Sequence, residues 1–184
     1  MIQLKKVAAV VALVILPCTA FSTPTVTFEG EVTDQTCSVS INGQTNSVVM
    51  LPTVATADFG ATLANGQTAG LTPFTVSISG CTAPTADLNI NTKFMGYDVD
   101  ASTGVLGNRA TTNAAVGYGI QLTGSSNGSD VVTLSGPTNV SGLVLKTGET
   151  SASYDFGAQY YVIDAASAKP GKITAVAEYT LSYF

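Results

Sequence analysis

The imidazole side chain, the commonest general base in enzymes, is missing from this chain. Its 184 residues include no histidine and no tryptophan. Ser-His-Asp and Cys-His catalysis both need an imidazole base, and His-ligated zinc needs an imidazole ligand. The sequence excludes those chemistries and predicts a protein that is not an enzyme.

Two short patterns imitate functional sites. Residues 124–128 (GSSNG) match G-x-S-x-G, but a nucleophile elbow also needs a histidine and a strand-to-helix turn. Asp98 and Asp100 are carboxylates of the kind that bind calcium or hydrolyse glycosides. Their position in a glycine-rich, acidic loop favours solvated charge instead. We predict a surface loop at the first pattern, and neither a metal nor a cofactor at the second.

The amino terminus has the pattern of a secretory signal peptide. Two lysines precede an apolar run at residues 7–16, and small residues follow up to Ala20. The run is about 10 residues long, whereas a bilayer-spanning helix needs roughly 20. We predict a signal peptide at residues 1–20, with cleavage after Ser22 as the alternative, and no membrane insertion after cleavage.

The cysteines predict one disulfide. Cys18 lies in the predicted signal peptide. A lipoprotein anchored through Cys18 is the alternative, and it is disfavoured because Pro17 stands where such a signal has a small residue. Cys37 and Cys81 remain, and such a pair in an exported protein is expected to be oxidised. The bond would restrict the unfolded chain by about 4 kcal/mol. Two free, buried thiols are the alternative.

The mature chain is strongly acidic. The signal peptide takes two of the seven basic residues and none of the 12 acidic ones, so the formal charge becomes −7. The remaining basic residues form no cluster. Binding to nucleic acid or to an anionic membrane is therefore not expected.

The rest of the chain predicts a single all-β domain. Short apolar runs alternate with glycine-rich turns, and no sustained helical period occurs. The last two predicted strands alternate clearly and are separated by a turn at residues 169–171, so we expect them to be neighbours. The predicted strands cover residues 37–41, 47–51, 74–78, 87–94, 116–122, 131–134, 153–163 and 173–184.

A further strand pattern precedes this domain. Val26, Phe28, Gly30 and Val32 alternate with polar residues, giving an apolar stripe with a notch at the glycine. A glycine inside a strand indicates a close backbone approach or a shallow pocket. An ordinary first strand with a bulge is the alternative.

These segments, taken in order, are similar to a known family. VTFEGEV, DQTCSV, LPTV, GLTPFTVSISGC, VGYGIQL, YDFGAQYYV and AEYTLSYF together resemble the chaperone–usher pilins, specifically the major subunits of type 1-like fimbriae. The resemblance spans the mature chain and is weakest at residues 95–114 and 124–142.

The resemblance implies an incomplete immunoglobulin-like sandwich that lacks its last strand and is completed by donor-strand exchange. The implied organisation is a donor-strand extension at residues 21–35 and a pilin domain at 36–184. The implied partners are identical or homologous pilin subunits, a periplasmic chaperone and an outer-membrane usher. The implied donor residues are Val26, Phe28, Gly30 and Val32, and the implied groove strand contains Tyr179, Leu181, Tyr183 and Phe184.

The expected function is that of a structural subunit of a fimbria on the bacterial surface, exported through the periplasm and supporting adhesion. Two alternatives stay open, a minor adaptor pilin and a sugar-binding adhesin of the same fibre. Tyr97, Tyr118 and Tyr161 are the candidates for stacking on a sugar. Tip adhesins of the family carry an additional domain and no donor extension, so the short chain and its stripe argue against the second alternative.

Overall fold

The computed structural model describes residue 26 and residues 30–183. The signal segment, Phe28 and Phe184 lie outside the described residues. The chain divides into two units, Met1–Gly30 and Glu31–Phe184, and the second contains every strand given below. No helix within the described residues has the length and apolarity needed to cross a membrane.

The second unit is a sandwich of two antiparallel sheets, which confirms the predicted all-β class. One sheet has the order β1-β2-β7-β4-β5 and the other the order β6-β3-β8. The only helical element in the described residues is a single 3-10 turn at Thr56–Phe59. The strands are β1 Ser38–Ile41, β2 Thr68–Ser79, β3 Leu88–Gly96, β4 Tyr118–Thr123, β5 Val131–Val132, β6 Thr138–Leu145, β7 Ala152–Val162 and β8 Ala177–Ser182.

Three phenylalanines join the two sheets at the centre of the core. Phe74 of β2 and Phe156 of β7 come from the larger sheet, and Phe94 of β3 comes from the smaller one. The ring centroid of Phe156 lies 5.8 Å from that of Phe74 and 5.7 Å from that of Phe94. All three side chains are buried, as the alternation of apolar residues along these strands requires.

The prediction that the last two strands are neighbours is wrong. β7 pairs with β2 and β4, whereas β8 pairs with β3 in the other sheet. Residues 163–176 cross between the sheets, and Lys169 and Lys172 form bridges near the start of β4 on the way. The connection is a crossover and not a hairpin turn, and β8 accordingly begins at Ala177, not at residue 173.

The prediction of a paired strand at residues 47–51 is also wrong. Asn42 and Gly43 have positive φ angles of 49° and 78° and turn the chain away from β2 after Ile41. Residues 47–51 still alternate between partly buried and exposed side chains. They have no ladder partner in the part of the chain that the structure describes. The sequence analysis missed β6, which is interrupted by Gly142.

Candidate functional site: the open edge of the last strand

The last strand has a neighbour on one side only. β8 pairs with β3 over the register from Asn91↔Ser182 to Gly96↔Ala177, and its other edge faces no strand among the described residues. The inward side chains of β3, such as Ile90 and Phe94, are fully buried. Those of β8 are only partly buried: Ala177, Tyr179 and Leu181.

Residues 47–51 contact the same part of the core as β8. Val49 and Leu51 pack on the same core cluster as Ala177 and Tyr179. The intervening Val48 and Met50 are 75% and 78% exposed. We call the space between β8 and residues 47–51 the groove.

One side chain bridges the groove. The Tyr179 hydroxyl donates a hydrogen bond to the Thr45 carbonyl oxygen at 2.7 Å. Burial raises the pKa of the Tyr179 hydroxyl above its ordinary value. This single hydrogen bond is exposed and is therefore a weak closure.

The carboxyl end of β8 contacts the start of the same unit. The Glu31 carboxylate accepts hydrogen bonds from the Ser182 hydroxyl at 2.9 Å and from the Tyr183 backbone N–H at 2.8 Å. Burial, and to a smaller extent the charge of Glu31, raise the pKa of the Tyr183 hydroxyl.

The proposed donor residues that the structure describes are exposed. Val26 is 74% exposed and Val32 is 96% exposed. A Cβ built on Gly30 has no heavy atom within 4 Å among the described residues. Phe28 lies outside the described residues. No contact within the described residues explains why these two exposed positions carry apolar side chains.

The predicted disulfide is present between Cys37 and Cys81. It joins the residue before β1 to the end of the β2 region, and the Thr36 hydroxyl donates to the Gly80 carbonyl oxygen at 2.9 Å beside it. The chain that leads from the amino-terminal stripe into the domain is thus fixed at its junction with β1.

The two patterns that imitate functional sites have structural roles. The Asp98 carboxylate binds the Arg109 guanidinium. Hydrogen bonds from Ser102 and Thr103 lower the pKa of Asp100. Residues 124–128 form a turn, and no helix follows it. No group of three potential metal ligands occurs among the described residues.

The three candidate sugar-stacking tyrosines do not form a common surface. Tyr118 is buried against Phe59, with ring centroids 5.4 Å apart. The guanidinium of Arg109 lies over the ring of Tyr97 at 5.6 Å from its centroid. Tyr118 is therefore not accessible to a sugar, and one face of the Tyr97 ring is occupied.

Sequence reasoning identified the inward residues of β8 but missed Glu31 and Thr45, which contact that strand. The signal for Glu31 was its place on the polar side of the amino-terminal stripe, next to the domain. Thr45 carried no signal, because its carbonyl oxygen and not its side chain makes the contact.

Comparisons with known proteins point to one family. The family described as "Fimbrial protein" matches residues 26–184. The major fimbrial subunit SMF-1 of Stenotrophomonas maltophilia (strain K279a) is 38% identical over 165 residues, which cover 86% of this chain and 91% of that protein. The minor fimbrial subunit HifD of Haemophilus influenzae is 31% identical over 188 residues, which cover 98% of this chain and 83% of that protein.

The fold has a solved counterpart. The crystal structure of the P pilus rod subunit PapA superposes with a TM-score of 0.57 at 16% identity, over 80% of this chain and 99% of that one. At this identity the likeness concerns the fold, which is an immunoglobulin-like sandwich with open sheets.

Proposed function

Because the chain belongs to the fimbrial protein family and is a structural subunit of a fimbria on the bacterial cell surface, we propose that it polymerises by donor-strand complementation. The groove beside β8 accepts the amino-terminal stripe of the next subunit, and the stripe of this subunit enters the groove of another. The role is mechanical and not catalytic.

One observation carries the proposal, namely the half-exposed core at the open edge of β8. Ala177, Tyr179 and Leu181 point toward the core and yet keep contact with solvent, because no strand lies on their outer side in the described domain. Such an edge promotes aggregation unless another segment covers it. An added strand both pairs with the free backbone groups and buries these side chains.

The amino-terminal stripe has the properties of that added strand. Val26 and Val32 are exposed, and the family match begins at residue 26 and so includes all of the stripe. Burying Val26, Phe28 and Val32 would contribute roughly 1.5 to 3 kcal/mol each. Backbone pairing along the strand adds roughly 0.5 to 1.5 kcal/mol per hydrogen bond, before the cost of ordering the segment.

Before polymerisation the same edge needs a temporary cover. We assign this role to a periplasmic chaperone, which pairs with β8 and holds Tyr183 and Phe184. An outer-membrane usher then presents the subunit for exchange. The exposed apolar groove supports a cover of this kind, since an exported subunit with an open edge would otherwise associate with others at random.

A substitution at Gly30 tests the donor role. Gly30→Leu places a bulky side chain at the notch of the stripe, where the described residues of the free subunit leave it in open space. We expect the subunit to fold and to be exported as before, and we expect polymers to be lost because the notch no longer fits a shallow pocket. The measurement is gel electrophoresis of surface material with and without boiling, where a polymer gives a heat-sensitive ladder.

The matched control is Thr27→Leu, which adds the same side chain on the polar side of the stripe. This variant is expected to keep the ladder. A normal ladder from Gly30→Leu would contradict the donor role of the stripe. A single monomer band from the unsubstituted protein, boiled or not, would contradict polymerisation itself.

A minor adaptor pilin is the second candidate, and the match to a minor fimbrial subunit favours it. An adaptor uses the same groove and the same stripe but occurs at few positions in each fibre. Immunogold labelling separates the two roles, because a major subunit labels the whole length of the fibre.

A further inference from the structure

Glu31 joins the amino-terminal stripe to the far end of the groove strand. Its carboxylate accepts hydrogen bonds from the Ser182 hydroxyl and the Tyr183 backbone N–H, at 2.9 and 2.8 Å. Both bonds have a charged acceptor and are therefore stronger than neutral ones. Ser182 is buried, so water competes poorly for its hydroxyl group.

The short segment between Glu31 and the disulfide is held at both ends. Thr36 bonds to Gly80 and Cys37 is bonded to Cys81, while Glu31 is bonded to the end of β8. Between these points, the Gln35 backbone N–H donates to the Thr33 hydroxyl at 3.1 Å. The base of the stripe is thus fixed on the body of its own subunit.

The alternation of side chains allows this contact to persist during donation. Glu31 lies between Gly30 and Val32 in the sequence, so in an extended strand its side chain points away from theirs. The neighbour's groove would take the face that carries Gly30 and Val32. The carboxylate of Glu31 stays on the opposite face, where it can keep its bonds to its own β8.

We propose that Glu31 is a positioning residue that fixes the angle between successive subunits of the fibre. The inference rests on the proposed donor-strand mechanism. In that mechanism β8 receives the incoming strand, and Glu31 ties the outgoing strand to the end of β8. Two hydrogen bonds therefore connect the strand that receives the previous subunit to the segment that is donated to the next one. A flexible linker would not connect them in a fixed orientation.

The test compares fibres of Glu31→Ala with fibres of Glu149→Ala, which removes an exposed glutamate far along the chain. We expect Glu31→Ala to polymerise and to give the normal heat-sensitive ladder. In electron micrographs the persistence length should fall by about half or more, because residues 31–35 then behave as a flexible linker. Exchange of the Tyr183 amide hydrogen in assembled fibres should become roughly tenfold faster or more.

Two further variants should change the persistence length by an intermediate amount. Ser182→Ala removes one of the two bonds and keeps the Tyr183 contact, and Glu31→Gln keeps one acceptor oxygen. Both should give persistence lengths between those of Glu149→Ala and Glu31→Ala, and they remain informative should Glu31→Ala fail to fold.

Three outcomes would overturn the inference. Fibres of Glu31→Ala and its graded variants could match those of Glu149→Ala in persistence length. The Tyr183 amide could exchange freely in unsubstituted fibres, which would mean that the contact does not survive assembly. Folded Glu31→Ala subunits could give no ladder, which would make Glu31 part of the exchange itself. Absence of a ladder from the unsubstituted protein would remove the proposed function as well.

Discussion

The two edges of the smaller sheet differ in how well they cover the core. β6 and β8 both flank β3 and both lack a second neighbour in their sheet. On the β6 side, Leu143 and Leu145 are 1% and 0% exposed. On the β8 side, Tyr179 and Leu181 are only partly buried. The absence of a neighbouring strand is therefore not enough to expose core side chains to solvent.

The β6 edge is closed by a side chain from the other sheet. Gly142 has a φ angle of 133° and leaves room for the ring of Tyr154, which would lie 2.4 Å from a Cβ at this position. The Tyr154 hydroxyl donates a hydrogen bond to the Gly124 carbonyl oxygen at 3.0 Å. Tyrosine packing against a glycine thus bridges the two sheets on this side.

The β8 edge has a tyrosine as well, but it is attached differently. Tyr179 reaches the carbonyl of Thr45, which lies in the turn after β1 and in no strand. The bridge is exposed, whereas that of Tyr154 is partly buried. The comparison teaches that this fold closes one edge with a partly buried contact between its two sheets, whereas an exposed contact to a turn is the bridge at the other edge.

The strongest test of this difference between the two edges is to replace one leucine on each edge by alanine. Leu143→Ala should destabilise the isolated subunit by about 2 to 5 kcal/mol, the usual cost of a cavity in a closed core. Leu181→Ala should cost less than about half of that, because its side chain still contacts water in the free subunit. Denaturant unfolding of the two isolated variants measures both values.

In the assembled fibre the order should change. Burial by the incoming strand would make Leu181 a core residue, so Leu181→Ala should lower the temperature at which the ladder collapses at least as much as Leu143→Ala does. Equal costs in the isolated subunits would mean that the β8 edge is already closed and that the comparison is wrong.

Much of the sandwich could be predicted from the sequence. The inward positions of β7 and β8 follow from a period of two, and that period survives in residues 47–51 although no strand pairs with them. The pairing partners could not be predicted from it. Alternation determines which face of a strand is buried, whereas the partner depends on connections such as residues 163–176, which cross between the sheets.

The family resemblance led us to expect an open edge at β8, but it did not predict the contacts made there. Glu31 and Thr45 meet β8 through contacts between residues more than a hundred positions apart in the chain. Such contacts depend on the folded arrangement and leave no local pattern. β6 was not predicted for a related reason. Gly142 interrupts the alternation of apolar and polar residues along this strand, and the space that it leaves is filled by the ring of Tyr154 from β7.

The two bridging tyrosines allow a finer test of the same comparison. Tyr154→Phe should destabilise the isolated subunit by about 0.5 to 1.5 kcal/mol, because it leaves a partly buried carbonyl without its donor. Tyr179→Phe should cost less, since water can replace the hydroxyl group at the exposed carbonyl of Thr45. Thermal unfolding of the two variants gives the difference, and a larger loss for Tyr179→Phe would show that the groove is held shut from within.

The smallest expected effect concerns a carboxylate that secures the closed edge. Asp87 stands just before β3 and accepts hydrogen bonds from the Lys146 ammonium at 2.8 Å and from the Thr147 backbone N–H at 3.0 Å, both just after β6. The Lys146 bond, followed by the Thr147 bond, lowers the pKa of Asp87 from 3.8 to about 2.

The sign of the pH dependence follows from this lowered pKa. Stability contributed by the ionised Asp87 is fully present above pH 3.8 and is lost as the pH falls through about 2. Asp87→Asn should therefore be slightly less stable than the unsubstituted subunit at neutral pH and equally stable below about pH 2, and salt should reduce the difference because the pair is exposed. Asp34→Asn, at an exposed position before β1, is the control. An unchanged gap across the acid range would mean that Asp87 acts through packing and not through its charge, and the closed edge would then rest on Tyr154 alone.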